Sequence, residues 1–239
     1  MRKFIQVAMI LLLSAIPAYA IIMIGFGQSA GEAAVVQATG DYSNDSATTM
    51  VKAFTSNVTA GNTIVVFSRV SSGGGSITGV TDSLGNTYVE RLASSTNRYK
   101  IYEASNITGG ACTVTVAYAT SGSARGIGIW EASGLINTGA YDVGAMAETS
   151  RTGVVATDGN YSDNVTTTAN GDLIVAAAYN TGSAWVIAPG TGYEERVDLG
   201  SYFQTEDKIA GAAGSYNATW TPNSTSAYNW TIAAFKAAP

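Results

Sequence analysis

No histidine occurs anywhere in the 239 residues. That absence removes the commonest general base and zinc ligand, and with them Ser-His-Asp triads, Cys-His dyads and HExxH sites, so most hydrolase mechanisms are closed. Cysteine occurs once, as Cys112; no intramolecular disulfide can form, and stability has to come from a buried apolar core. Its setting, ACTVTV, reads as a small buried hydrophobe rather than a reactive thiol. Charge is scarce as well: 12% of the residues are Asp, Glu, Lys or Arg, against about 25% in a typical soluble domain, so hydroxyls and amides solubilise the surface. With 12 basic against 17 acidic residues and a pI near 4.6, there is no cationic field to neutralise phosphates, which argues against DNA and RNA as partners.

What is present begins with an apolar N-terminus. Residues 1–20, MRKFIQVAMILLLSAIPAYA, have a short basic start, an apolar run, and Ala18 and Ala20 at the small-residue positions of an A-x-A cleavage site, which reads as an export signal. The alternative is an uncleaved hydrophobic helix reaching Phe26, because Phe4 to Phe26 carries no charge and about 20 such residues can cross a bilayer. Cleavage after Ala20 exposes IIMIGFGQSAGEAAVVQ, an apolar, strand-competent segment over 21–37. Such a strand pairs within its own sheet as an edge strand or inserts into a neighbouring subunit by strand addition, with Ile21, Ile22, Met23, Ile24, Phe26, Val35 and Val36 as the assembly residues.

The body, 38–239, reads as all-β. Short β-branched and aromatic runs recur, among them TIVVFSRV (63–70), RYKIYEA (98–104), CTVTVAY (112–118), GIGIWEA (126–132), DLIVAAAY (172–179) and NWTIAAF (229–235). Gly, Asn, Asp and Ser turns separate them, and none carries a 3.6-residue amphipathic period. The spacing predicts an antiparallel β-sandwich, jelly-roll or Ig-like, with few helices. Within strands, alternation places Val114 and Val116 inward and Thr113 and Thr115 outward; Tyr228, Trp230, Ile232 and Ala234 share one face, expected in the core, and Asn229, Thr231 and Ala233 the other. The glycines at 73–75 lack a following Lys-Ser/Thr and read as a loop rather than a phosphate cradle.

The halves of this body match each other. NVTAGNTIVVFS (57–68) parallels NVTTTANGDLIVAAA (164–178), and YVERLAS (88–94) parallels YEERVDL (193–199). The expectation is a duplicated strand set, with pseudo-repeats over about 50–135 and 150–238, folded into one sandwich; no Pro- or Ser-rich linker divides them, and either half alone leaves an open apolar face.

The strings VTDSLGNTYVE, IYEASNITGGACTVTV, GIWEASGL and TIAAFKAAP resemble a recurrent, largely uncharacterised β-sandwich module of secreted bacterial surface and appendage proteins, marked by V-T-D-S-x-G-N-x-Y, N-I-x-G-G, E-x-S-G-L and a C-terminal A-F-x-A. The resemblance covers residues 34–238 and implies a fold and a place, in a stalk, appendage or adhesin. It transfers no catalytic residue.

Side chains that could carry chemistry are few. Glycosidases need two carboxylates flanking a sugar, and Glu90, Glu103, Glu131, Glu194, Glu195, Glu206 and Asp207 are the candidates. Glu90-Arg91 and Glu194-Glu195-Arg196, however, occupy matching places in the repeats, as cross-strand charge pairs on an outer face would. For calcium, Asp82, Asn86, Asp158, Asn160 and Asp163 offer turn oxygens, yet none fits an EF-hand loop, and Asx turns explain them without an ion. Asn44, Asn57, Asn106, Asn160, Asn164, Asn217, Asn223 and Asn229 each begin N-x-S/T and are candidate glycosylation sites where exposed. Tyr161, Trp185, Tyr193, Tyr202 and Phe203 fall near loops and could stack on glycans, whereas Trp130, Trp220 and Trp230 sit in strand patterns as core. The residues thus suggest no enzyme, cofactor or catalytic metal. They suggest an extracellular structural protein, a self-assembling subunit of a surface filament, with a non-polymerising adhesin or carbohydrate-binding module as the alternative.

Overall fold

The computed structural model describes residues 32–71, 73, 75–151, 164–180, 187–200, 202–218, 220–222 and 228–239. The segment 1–20 read as an export signal and the expected assembly residues Ile21 to Phe26 lie outside them. Everything described belongs to one compact unit, Glu32–Pro239. It is all-β, antiparallel and without an α-helix among the described residues.

The first half runs β1 (Ala34–Ser43), β2 (Ala47–Ala53), β3 (Thr63–Val70), β4 (Ile77–Asp82), β5 (Val89–Ala93), β6 (Tyr99–Ala104), β7 (Thr113–Gly122) and β8 (Arg125–Ser133). The second runs β9 (Tyr141–Arg151), β10 (Val165–Thr166), β11 (Leu173–Asn180), β12 (Ile187–Ala188), β13 (Glu194–Asp198), β14 (Gln204–Ile209), β15 (Ser215–Tyr216), β16 (Thr221–Pro222) and β17 (Tyr228–Phe235). One five-stranded sheet has the order β1-β8-β3-β6-β5 and the other β13-β14-β11-β17-β9. Reading the second in reverse, β9 takes the place of β1, β17 of β8, β11 of β3, β14 of β6 and β13 of β5, so the halves share one topology. A three-stranded sheet, β2-β7-β4, backs the first large sheet; of its counterpart in the second half the described residues contain two two-stranded pieces, β10-β15 and β12-β16.

Each half therefore forms its own sandwich, and the apolar face that each would leave open is covered by the other. Val65, Phe67, Ile101, Trp130 and Ala132 of the first large sheet pack against Leu173, Val175, Ala177, Ala233 and Phe235 of the second. The opposite face of the first sheet buries Ile64, Val66, Ile127 and Ile129 against Val114, Val116 and Met50. The opposite face of the second buries Ile174, Ala176, Trp230 and Ile232 against Val165, Ala218 and Trp220. The expected pair of layers is a stack with three apolar interiors. The repeats run from β1 to β8 and from β9 to β17, starting earlier than 50 and 150, because β1 and β9 are the edge strands that complete each large sheet.

The contacts at the sheet edges give the packing its symmetry. β1 lies against β13, and β9 lies against β5. Since β13 is the counterpart of β5 and β9 that of β1, these are the same contact made twice, as across a two-fold axis. Gly40 permits the close approach at one edge: a Cβ there would stand 2.6 Å from Val197 Cγ1 and 2.8 Å from the Ile127 carbonyl oxygen.

Alternation in β7 is as expected, with Val114 and Val116 buried and Thr113 and Thr115 half-buried. For β17 the expectation of one core face and one outer face is corrected. Trp230, Ile232 and Ala234 are buried, but so are Asn229, Thr231 and Ala233, because this sheet is an inner layer with protein on both sides.

Candidate functional site

Of the expected assembly strand, the described part is Val35 and Val36 in β1. Val35 pairs with Ala132 of β8, and a bulge at Val36 leaves that side chain 49% exposed. Among the described residues β1 is a sheet edge, hydrogen-bonded on one side only. Its first charged residue is Asp41.

The carboxylates weighed for catalysis are spread through the structure, and all but Glu195 are tied into it. Glu90 accepts from Lys100 Nζ at 2.7 Å and from the Tyr102 hydroxyl at 3.3 Å. Buried Glu131 accepts from Thr59 N at 2.7 Å, Asn62 Nδ2 at 2.6 Å and Gln37 Nε2 at 2.7 Å, closing the base of the first sandwich. Glu206, also buried, accepts from Gly190 N at 2.8 Å. Glu195 is exposed.

Glu103 and Asp207 correspond by register. Glu103 stands opposite Val65 in β3, Asp207 opposite Val175 in β11, and each meets a bulged arginine of the neighbouring edge strand. Arg91 Nε donates to Glu103 at 2.8 Å; Arg196 Nε and Nη2 donate to Asp207 at 2.5 and 3.2 Å. The charge pairs expected from Glu90-Arg91 and Glu194-Glu195-Arg196 do run across strands, but not on an outer face, since the acidic partners Glu103 and Asp207 are buried at the edges of the central interior. The two sites differ in one respect. Glu103 also receives the backbone N–H groups of Ala140 (2.6 Å) and Tyr141 (3.1 Å), which pins the start of β9. Asp207, one methylene shorter, borders a cavity of about 240 Å³ lined by Ala33, Ala34, Val35, Arg196 and Lys208.

Asp82 spends its oxygens on its own turn. Oδ1 accepts from Leu84 N (2.9 Å) and Asn86 N (3.1 Å), and Oδ2 from Asn86 Nδ2 (2.7 Å) and the Tyr88 hydroxyl (2.9 Å). Burial alone would raise its pKa; these bonds outweigh burial and hold it below the usual carboxylate value. Gly85, at φ +74°, closes the turn. The D-S-x-G-N-x-Y string is thus a self-contained knot. Cys112 Sγ lies 3.6 Å from Asp82 Oδ2, and burial together with that carboxylate pushes the thiol up to about 12; it is the buried small hydrophobe expected. Of the remaining turn oxygens offered for calcium, Asp158, Asn160 and Asp163 lie outside the described residues. Among those described, no group of three or more His, Cys, Asp or Glu comes together.

A second carboxyl pair escaped sequence reasoning. Asp142, in the bulge of β9, accepts from Thr168 N (2.6 Å), Thr168 Oγ1 (2.8 Å) and Lys236 Nζ (3.3 Å). Its neighbour Asp172 accepts from Ala237 N at 3.2 Å through Oδ1, while its Oδ2 is buried and receives no hydrogen bond from a conventional donor. Burial and the nearby Asp142 carboxyl raise the Asp172 pKa; the Thr168 and Lys236 donors outweigh burial at Asp142 and lower its own. Thirty residues separate the two, so only folding makes them a pair.

Glycan attachment needs exposure. Asn44, Asn57, Asn106 and Asn164 are exposed and Asn217 is half-buried. Asn229 is corrected: it is 3% exposed, and its Nδ2 donates to the Tyr99 hydroxyl at 2.6 Å, so its amide is not available. Asn160 and Asn223 lie outside the described residues. Among the candidate stacking aromatics, Phe203 is corrected to a core residue, Tyr193 is half-buried with its hydroxyl on the Asn217 carbonyl (2.7 Å), and Tyr202 is 44% exposed. Tyr161 and Trp185 lie outside the described residues. Trp130, Trp220 and Trp230 are buried, as expected.

No known family model, curated protein or solved structure matches the chain.

Proposed function

We propose that the protein is an exported structural subunit that self-assembles into a surface filament or appendage, with the segment ahead of β1 completing a neighbouring subunit. The observation that carries the reading is the position of β1. The strand that follows the apolar segment 21–31 is a sheet edge with a half-exposed valine and no charge before Asp41, and edges of this kind template further pairing. Two further features support it. Of the carboxylates that a glycosidase would need, all but exposed Glu195 are engaged in structural bonds, and the likeness to secreted surface modules implies an extracellular place. Exposed N-x-S/T asparagines Asn44, Asn57, Asn106 and Asn164 are where glycans would be carried.

The test is deletion of residues 21–31, which spares buried Ala33 and the start of β1. The shortened protein should be folded and monomeric by light scattering, whereas the protein beginning at Ile21 should form ordered polymers by negative-stain microscopy. Polymerisation undiminished by the deletion refutes strand exchange. Polymers absent from both forms favour the second reading, a monomeric adhesin or carbohydrate-binding module.

A further inference from the structure

At one end of the first large sheet, three arginines gather around Val70 on a chain that is acidic overall. Arg69 precedes it in β3, Arg125 stands opposite it in β8, and Val70 N donates to the Arg98 carbonyl at 2.9 Å. None of the three pairs with a carboxylate among the described residues, although Arg91, Lys100, Arg196 and Lys236 all do. Arg125 donates to the backbone carbonyls of Thr49 and of Asp45 (2.6 Å), and Arg98 Nε to Thr96 Oγ1 at 2.8 Å. These are neutral acceptors. Among the described residues no carboxylate neutralises these guanidinium charges, and the Tyr118 phenol, raised by burial, feels both Arg125 and Arg69 as lowering influences.

Arg69 is 6% exposed, and its Nε is buried without a partner. It lies inside a column of rings that runs from the surface to the central interior. Tyr202 stacks on Tyr42 with centroids 4.7 Å apart and planes 3° apart. The Arg69 guanidinium is 5.7 Å from the Tyr42 ring on one side and 5.6 Å from the Tyr179 ring on the other. Tyr179 in turn stacks on Tyr99 at 4.7 Å. At the inner end of the column, Asn229 Oδ1 is another buried atom without a partner. Ring faces offset part of the desolvation of a cation, and Arg69 also hydrogen-bonds the Tyr42 hydroxyl, but Nε keeps an unused donor, and no carboxylate among the described residues pairs the buried charge, which is normally costly enough to be paired.

A partner that supplies oxyanions to guanidinium groups and an apolar sugar face to an exposed tyrosine fits these features together. We propose that this sheet end, through Tyr202, Tyr42, Arg69 and Arg98, binds an acidic polysaccharide by its carboxylate or sulfate groups, with buried Arg125 adding local positive charge. Arg69 and Arg98 recognise the anions, and the outer face of Tyr202 stacks on a sugar ring. The site is independent of the assembly strand, so the chain can polymerise without it or use it as a monomer.

The test measures binding of the protein to immobilised polygalacturonate, dextran sulfate, neutral dextran and a single-stranded oligonucleotide by interferometry at low and at about 0.3 M salt. The acidic polysaccharides should bind, weakening with salt, and neutral dextran should not. Tyr202→Ala and Arg98→Gln change a surface ring and a half-buried side chain, so both should keep the wild-type melting temperature while losing at least five-fold in affinity. Arg69→Gln should lose more. Polygalacturonate alone supports a carboxylate site, and both polymers together a general sugar-oxyanion site. Equal binding to neutral dextran, equal binding to the oligonucleotide, or wild-type affinity in Tyr202→Ala and Arg98→Gln together overturns the proposal.

Discussion

Asp82 shows how one short side chain can organise a turn. Four donors converge on its two oxygens, all of them from within six residues. A hydrogen bond to a charged group is worth about 1.5–3 kcal/mol net, and these bonds share one acceptor group. Asp82→Ala should therefore lower stability by about 2–3 kcal/mol, measured as a fall in the urea midpoint at unchanged slope. Because the folded pKa lies below the unfolded one, the Asp82 contribution is complete above the unfolded value, about 3.9, and is lost as pH falls through the folded value.

Asp172 has the opposite sign. Its folded pKa is raised by burial and by Asp142, so its contribution is complete below the unfolded value and is lost as pH rises through the folded one. Two carboxyl groups that hydrogen-bond each other share a proton, and that proton satisfies the otherwise unpartnered Asp172 Oδ2. Asp172→Asn supplies a permanent donor in its place. Thermal unfolding across pH 4 to 8, within and above the ordinary carboxylate range, should show the wild-type melting temperature losing ground with rising pH relative to Asp172→Asn. Parallel curves for the two proteins exclude the shared proton.

Among elements, the informative comparison is between β5 with β6 and β13 with β14. Each pair holds a bulged arginine against a buried acid, yet only Glu103 also anchors the next strand through Ala140 N and Tyr141 N. Removing one partner of a buried ion pair costs about 3–5 kcal/mol. Glu103→Ala should reach that range and loosen the start of β9, seen as faster amide exchange at Ala140 and Tyr141. Asp207→Ala should cost less, because Arg196 keeps Glu194 at 2.8 Å and is partly solvated. Equal losses would mean that the backbone anchoring contributes nothing. The Arg-acid correspondence was half legible beforehand, since Y-V-E-R and Y-E-E-R sit at matching places in the repeats. The acids themselves were not, because Glu103 and Asp207 lie on partner strands with different neighbours in sequence.

At the scale of the whole molecule, the two halves are joined by 134–140 and by the interior between the large sheets. Trp130, Phe67, Phe235 and Leu173 are buried there, and each large apolar side chain fully removed from water contributes about 1.5–3 kcal/mol. The covalent joint is secondary to that surface. A protease site placed at exposed Asn137-Thr138 should, after cleavage, leave two fragments that co-elute in size exclusion and melt as one transition. Separation into two folded monomers would show that the central interior does not hold the halves together.

The sequence by itself determined that the chain is β, where most of the long strands run, which residues of β7 face inward, that Cys112, Trp130, Trp220 and Trp230 are buried, and that the strand set is duplicated. Those properties follow from local pattern: alternation with period two, β-branched runs and turn residues. Only the tertiary structure decided that the duplicated sets form separate sandwiches joined face to face, and it decided with that which polar residues are buried. Asn229 looked exposed, and Phe203 looked like a loop ring, because a strand in an inner layer has no solvent side and a one-dimensional pattern does not record what covers each face. The same holds for Asp142 with Asp172 and for Arg69 among its tyrosines: their partners are brought in by the approach of distant strands, and that approach is fixed by the large apolar faces rather than by the polar residues themselves.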